Sequence, residues 1–178
     1  MLDRFSILIV LTGLLSSASN LWATPDYELQ PLEYSKAKDD NGITALRQTL
    51  KLKQQPATDS LRQILKALKI PESSQMLVFS KTSEQNDLIS PNNPRAVYFS
   101  ENYYVGYVPG GLIKLIAADD PSGVMFYTFD PRVPEKQKAF QRDNSCLRCH
   151  ASANTRDIPG VLVRSVHADQ DGQLVLAW

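Results

Sequence analysis

The chain has 178 residues, with 19 basic and 19 acidic side chains and a formal net charge of zero. That length suits one compact domain. The neutrality excludes a strongly basic chain and so argues against nucleic acid as a partner.

The amino terminus reads as a leader. Arg4 supplies a short basic region, offset by Asp3. The stretch 5–15 is apolar apart from Ser6, Thr12 and Gly13. Small residues follow at Ser16, Ser17, Ala18 and Ser19, and Ala23 suits cleavage before Thr24. The apolar run is too short to cross a bilayer comfortably, so residues 1–23 predict a secretory signal peptide. The alternative is an uncleaved membrane anchor; both place the folded part outside the cytoplasm, in the periplasm of a bacterium.

Residues 24–40 are polar, contain Pro25 and Pro31, and predict a linker or extended arm before a single domain over 41–178. Ile43, Leu46 and Leu50 are spaced for a helix, and Leu61, Ile64, Leu65 and Leu68 form an i, i+3, i+4, i+7 stripe. A helical hairpin across 42–69 follows, turning near Gln54-Gln55-Pro56, with Ser60 and Gln63 as a capping box and Pro71 as the stop. From Lys36 to Lys69 there are eight basic residues and three acidic ones. That surplus suits either the solvated side of helices or a docking face for an acidic partner protein.

The pattern then changes to short apolar and aromatic runs. Met76 to Ser80, Ala96 to Ser100, Tyr103 to Val108, Leu112 to Ala117 and Val124 to Phe129 predict five antiparallel strands, separated by Pro, Gly and Asn turns. Pro134 to Gln141 predicts a short helix, and Asn144 or Ser145 a cap for the turn after it. Val161 to Val166 and Leu174 to Trp178 predict two more strands joined at Asp171-Gly172. The fold class is therefore α+β, with five to seven short strands, and not an all-helical wrap.

Residues 146–150 read Cys-Leu-Arg-Cys-His and include both cysteines of the chain. C-x-x-C-H is the attachment signature of c-type haem. On a helical turn, positions i and i+3 share a face, so Cys146 and Cys149 can each form a thioether with one vinyl group of a single ring. His150 then offers an imidazole nitrogen to the iron as proximal ligand. Four other readings compete: a structural disulfide, a thioredoxin-like redox pair, a zinc site and two free thiols. The disulfide would close a very small loop. No βαβ unit precedes the motif, and only His167 remains as a further nitrogen donor for zinc. Haem c is attached outside the cytoplasm in bacteria, so leader and motif support one another.

Electron-transfer haems usually have a second axial ligand, His or Met. His167 is the only other histidine, while Met76 and Met125 lie upstream in predicted strands. Arg148, Arg156 and Arg164 are candidate partners for haem propionates. No phosphate loop, Ser/His/Asp arrangement or calcium loop is present, so no catalytic residue is assigned. Three functions stay open. One is an electron carrier with one covalent haem, matured by haem-attachment machinery and serving redox partner proteins. The second is a haem-based peroxidase or gas sensor with an open distal position. The third is a thiol–disulfide oxidoreductase without haem, which needs a Cys146 of lowered pKa.

The run 90–99, Ser-Pro-Asn-Asn-Pro-Arg-Ala-Val-Tyr-Phe, followed at 104–111 by Tyr-Val-Gly-Tyr-Val-Pro-Gly-Gly, resembles a group of exported bacterial proteins with a single C-x-x-C-H motif after a mainly β domain. The resemblance covers about Gln75 to Gly172. It implies covalent haem at Cys146 and Cys149 with His150 as proximal ligand. It also implies a longer protein, so the apolar ending Leu174 to Trp178 reads as a truncated copy or fragment.

Overall fold

The computed structural model describes residues 24–50, 55–134 and 140–175. The signal-peptide reading falls on residues outside the described ones. Two helices come first, α1 (Gly42–Thr49) and α2 (Ala57–Ala67). Six strands follow, β1 (Met76–Val78), β2 (Arg95–Phe99), β3 (Tyr103–Tyr107), β4 (Ile113–Ala117), β5 (Met125–Phe129) and β6 (Gln141–Arg142). A one-turn helix, α3 (Leu147–His150), carries the motif. The strands form one open antiparallel sheet in the order β1-β2-β3-β4-β5-β6, and with the short helices this is an α+β arrangement. Neighbours in sequence are neighbours in space; the β2–β3, β3–β4 and β4–β5 connections are short, whereas β1 and β2 are joined by the longer loop 79–94.

Side chains alternate between the faces of a strand. Tyr103, Val105, Tyr107, Ile113, Leu115, Ala117, Met125, Tyr127 and Phe129 fall in register on one face, and all but Tyr103 are buried. Helix α1 lies on this face: Arg47 stacks over the Tyr127 ring, and Gly42 lies against Tyr103. Residues 24–40 also pack here. Tyr34 is buried, donates to the Val124 carbonyl at 2.7 Å, and lies under the Arg142 guanidinium.

Both predicted helices are present; of the predicted turn Gln54-Gln55-Pro56, Gln54 lies outside the described residues, and Pro56 stands directly before α2. The capping box is at a different helix from the one expected. Helix α2 starts at Ala57, after Pro56, which leaves Ser60 inside the first turn, buried and accepting from Gln55. The reciprocal cap belongs to α1, where Asn41 and Thr44 bond each other's backbone groups. Two other expectations fail. Residues 135–139 lie outside the described ones, but Gln141, the expected end of a helix, pairs with Thr128 as strand β6. Of the hairpin expected over 161–178, the described residues form a single bridge, Ala168 to Leu174. Asp169 Oδ1 accepts from the backbone of Asp171 and Gln173, closing a loop at Gly172 (φ 83°). The Gly172 carbonyl then accepts from Lys81 at 2.7 Å, so the loop docks beside β1 instead of extending a ladder.

Asn41 ties α1 to the sheet. Its Oδ1 caps the helix, and its buried amide donates to Asp120 at 2.8 Å and to the Tyr127 hydroxyl at 2.6 Å. Asn41→Ala removes the cap, takes the donor from the Tyr127 hydroxyl and leaves Asp120 Oδ2 with the Asp40 amide alone, a cost of about 2–3 kcal/mol. Urea unfolding should show that loss. Asn41→Asp should not recover it, because it sets a second carboxylate beside Asp120.

Candidate functional site

The second face of the sheet carries Val97, Phe99, Tyr104, Gly106, Lys114, Ile116, Phe126 and Thr128. An uncovered face should be exposed at every second residue. Gly106 and Phe126 break that pattern and are buried. Phe126 is covered by the His150 ring, with centroids 4.8 Å apart, and Gly106 by the guanidinium of Arg95. The Cys146–His150 lobe therefore stands on the face opposite α1.

Strand β6 delivers the motif. After Arg142 the chain stays hydrogen-bonded to β5, with the Asp143 amide donating to the Phe126 carbonyl at 2.9 Å. Asp143 then caps a 3-10 turn, Asn144–Cys146, by accepting from the Ser145 amide at 3.1 Å. Asp143, and neither Asn144 nor Ser145, is the cap. That turn runs directly into α3, and Cys146 is already in the right-handed helical region (φ −59°, ψ −27°). Cys146 and Cys149 thus share one helical face, with Cys146 half-buried, Cys149 exposed and both thiols unbonded.

His150 is held at both its backbone and its ring by Gly160, and the Thr155 hydroxyl also donates to its carbonyl at 3.2 Å. The Gly160 amide donates to the His150 carbonyl at 2.9 Å, and His150 Nδ1 lies 2.9 Å from the Gly160 carbonyl. A carbonyl only accepts, so Nδ1 carries the proton and Nε2 keeps a free lone pair. A metal-bound histidine commonly has this tautomer, fixed by a backbone carbonyl. Burial holds the imidazole pKa below its ordinary value, so the ring is neutral; Arg95 adds to that effect and the Gly160 bond opposes it. The intervening loop is closed by a reciprocal Ser152–Thr155 cap, followed by left-handed Arg156 and Asp157.

An ion-pair network ties the turn to the sheet. Lys114 Nζ lies 2.6 Å from Glu84 and 2.8 Å from Asp143, and Thr128 donates to Asp143 at 2.6 Å. Ligand atoms of Glu84, Asp143 and Cys146 approach within 4.8 Å. The ammonium already bonds both carboxylates, and Arg148 lies 3.7 Å from Glu84, so two cations balance the two carboxylates. Burial, reinforced by Asp143 and Glu84, pushes the Cys146 thiol up to about 11.

The same face carries an apolar row. Phe99, Tyr104, Ile116 and Phe126 are adjacent in register across four strands and end under His150. The Phe99 and Tyr104 rings stack at 6.4 Å, and Phe99 is 37% exposed.

The other expected site residues scatter. Met125 is fully buried on the α1 face and is cut off from His150 by the sheet. Met76 shares the face of His150 but sits in β1, four strand spacings from β5, about 19 Å away. His167 is exposed, in the segment that runs from Gly160 to the loop beside β1. Arg148 is exposed and 3.7 Å from Glu84, while Arg156 and Arg164 are exposed. Arg95, Lys114, Phe126, Asp143 and Gly160 were not anticipated. One local signal existed: a lone glycine inside a strand, Gly106, marks a close approach.

Compared with known proteins, the chain matches no family model, no curated protein and no solved structure. Among the described residues, no helix is long and apolar enough to cross a membrane.

Asp143 supplies the next prediction. Lys114 and the Ser145 and Thr128 bonds outweigh burial and hold its carboxyl well below the ordinary value of 3.8. A depressed carboxyl stabilises the fold above its unfolded pKa, and the contribution is lost as pH falls through the folded one. At neutral pH, Asp143→Asn should be less stable by about 3 kcal/mol. In denaturation series from pH 7 to pH 2 the gap to wild type should narrow below about pH 4. A gap constant with pH would remove the charge role.

Proposed function

We propose that the chain is an exported, periplasmic c-type cytochrome that carries one covalent haem and passes single electrons. Cys146 and Cys149 would hold the haem through thioethers, and His150 would be its proximal ligand. The observation that carries this reading is the His150–Gly160 pair. It orients an imidazole with a free Nε2 on the same turn that displays two thiols at i and i+3. The half-exposed row Phe99–Tyr104–Ile116, next to His150, suits the apolar face of a porphyrin. When bound, the haem supplies a one-electron iron couple; the protein contributes attachment, ligation and a partly dry wall that tunes the potential. The partners would be redox proteins, with acidic ones favoured if the basic surplus of 36–69 is the docking face, and haem-attachment machinery during maturation.

A thiol–disulfide role fits less well. Such chemistry needs an attacking thiol of lowered pKa, whereas burial and two carboxylates push Cys146 the other way, to about 11. The second haem reading, a gas sensor or peroxidase with an open distal position, draws support from the methionines. Met125 faces the opposite core and Met76 lies at the far edge of the sheet.

The test is intact mass and the pyridine haemochrome spectrum of protein exported from a host with haem-attachment machinery. One added haem with both vinyls saturated is expected, and Cys146→Ala with Cys149→Ala should be exported without it. An unmodified wild-type mass overturns the assignment. In the holo-protein, a six-coordinate low-spin iron supports the electron carrier. A five-coordinate high-spin iron that binds carbon monoxide when reduced supports the open site instead.

A further inference from the structure

Among the described residues the Arg95 guanidinium makes no hydrogen bond or ion pair, and its Nε is buried without a partner. The side chain lies flat over Gly106: a Cβ there would fall 2.3 Å from Nη2 and 2.7 Å from Nε. Gly106 thus leaves room for the guanidinium on the very face that carries the motif. The Arg95 charge acts on both Cys146 and His150. The nearby carboxylates are already engaged. Glu84 takes Lys114 and Arg148, and Asp143 takes Lys114. Two carboxylates therefore face three cations, an excess of one positive charge beside the Cys146–His150 turn.

A half-buried guanidinium whose Nε finds no partner among the described residues is costly, and a bidentate carboxylate is the group its planar fork fits best. We propose that Arg95 binds a carboxylate of the prosthetic group, a haem propionate. This role rests on the haem assignment above. It displaces Arg148, Arg156 and Arg164, which are exposed and therefore gain little from pairing.

The holo-protein, with its haem content established by mass, tests it. Resonance Raman bands of the propionates and the midpoint potential at pH 7 are compared for wild type, Arg95→Gln, Arg95→Lys and Gly106→Ala. Arg95→Gln should shift the propionate band and lower the potential, with the ferrous form disfavoured about tenfold, or about 59 mV for one electron. Arg95→Lys should restore most of the potential but not the bidentate band. Gly106→Ala keeps the charge and displaces the fork, so it should move the band with a smaller change in potential; it also serves if Arg95→Gln does not fold. Arg148→Gln should change neither. If wild type carries no haem, the haem assignment falls and this role with it. If haem is attached and neither Arg95→Gln nor Gly106→Ala moves the propionate band, the role of Arg95 is overturned while the haem assignment stands.

Discussion

The Lys114 ammonium is held between a carboxylate from the loop after β1 and one from the residue after β6. It rises from β4, in the middle of the sheet, on the face that would otherwise be bare. Losing it would leave Asp143 without its cation and Glu84 with only the exposed Arg148, in a setting where like charges are costly. Asp143 in turn caps the turn that opens the Cys146–His150 lobe. One side chain therefore fixes where the motif stands, and the strand register fixes which face it stands on. The carboxylates that hold Lys114 also keep the proton on Cys146, so the anchoring and the chemistry of the first thiol share a cause.

The two faces of the sheet have separate tasks. One is filled by apolar side chains, α1 and the packed arm, and supplies the core that stabilises the domain. The other is mixed: an apolar row, an ion-pair network, a neutral imidazole and a guanidinium unpaired among the described residues. A face of that kind contributes little to folding by itself. Half-exposed aromatics gain only part of their transfer free energy, and an unpaired half-buried cation costs some. Structures keep such features where a ligand supplies the missing partner.

Much of the fold was legible from local pattern. The helical stripe at Leu61, Ile64, Leu65 and Leu68 became α2, and the five apolar runs became β1 to β5, because both periodicities arise within a few residues. The failures share a cause as well. Strand β6 is two residues long and exists only because β5 offers an edge next to it. The segment 161–166 has strand-like composition but pairs with nothing among the described residues, because the loop after it docks on Lys81. Ser60 looked like a cap from its neighbours, but Pro56 had already started the helix.

The sequence by itself determined the spacing of two thiols and an imidazole, since i and i+3 on a helical turn share a face in any fold. It also determined the strand and helix periods and the neutral balance of charge. Only the tertiary structure decided the tautomer of His150, which depends on a carbonyl ten residues away. It alone set Met125 on the wrong face, where one step of strand register separates it from Phe126. And it alone brought Arg95, fifty-one residues before Cys146, to the motif with no partner among the described residues, because a charge is paired or unpaired only when the chain around it has folded.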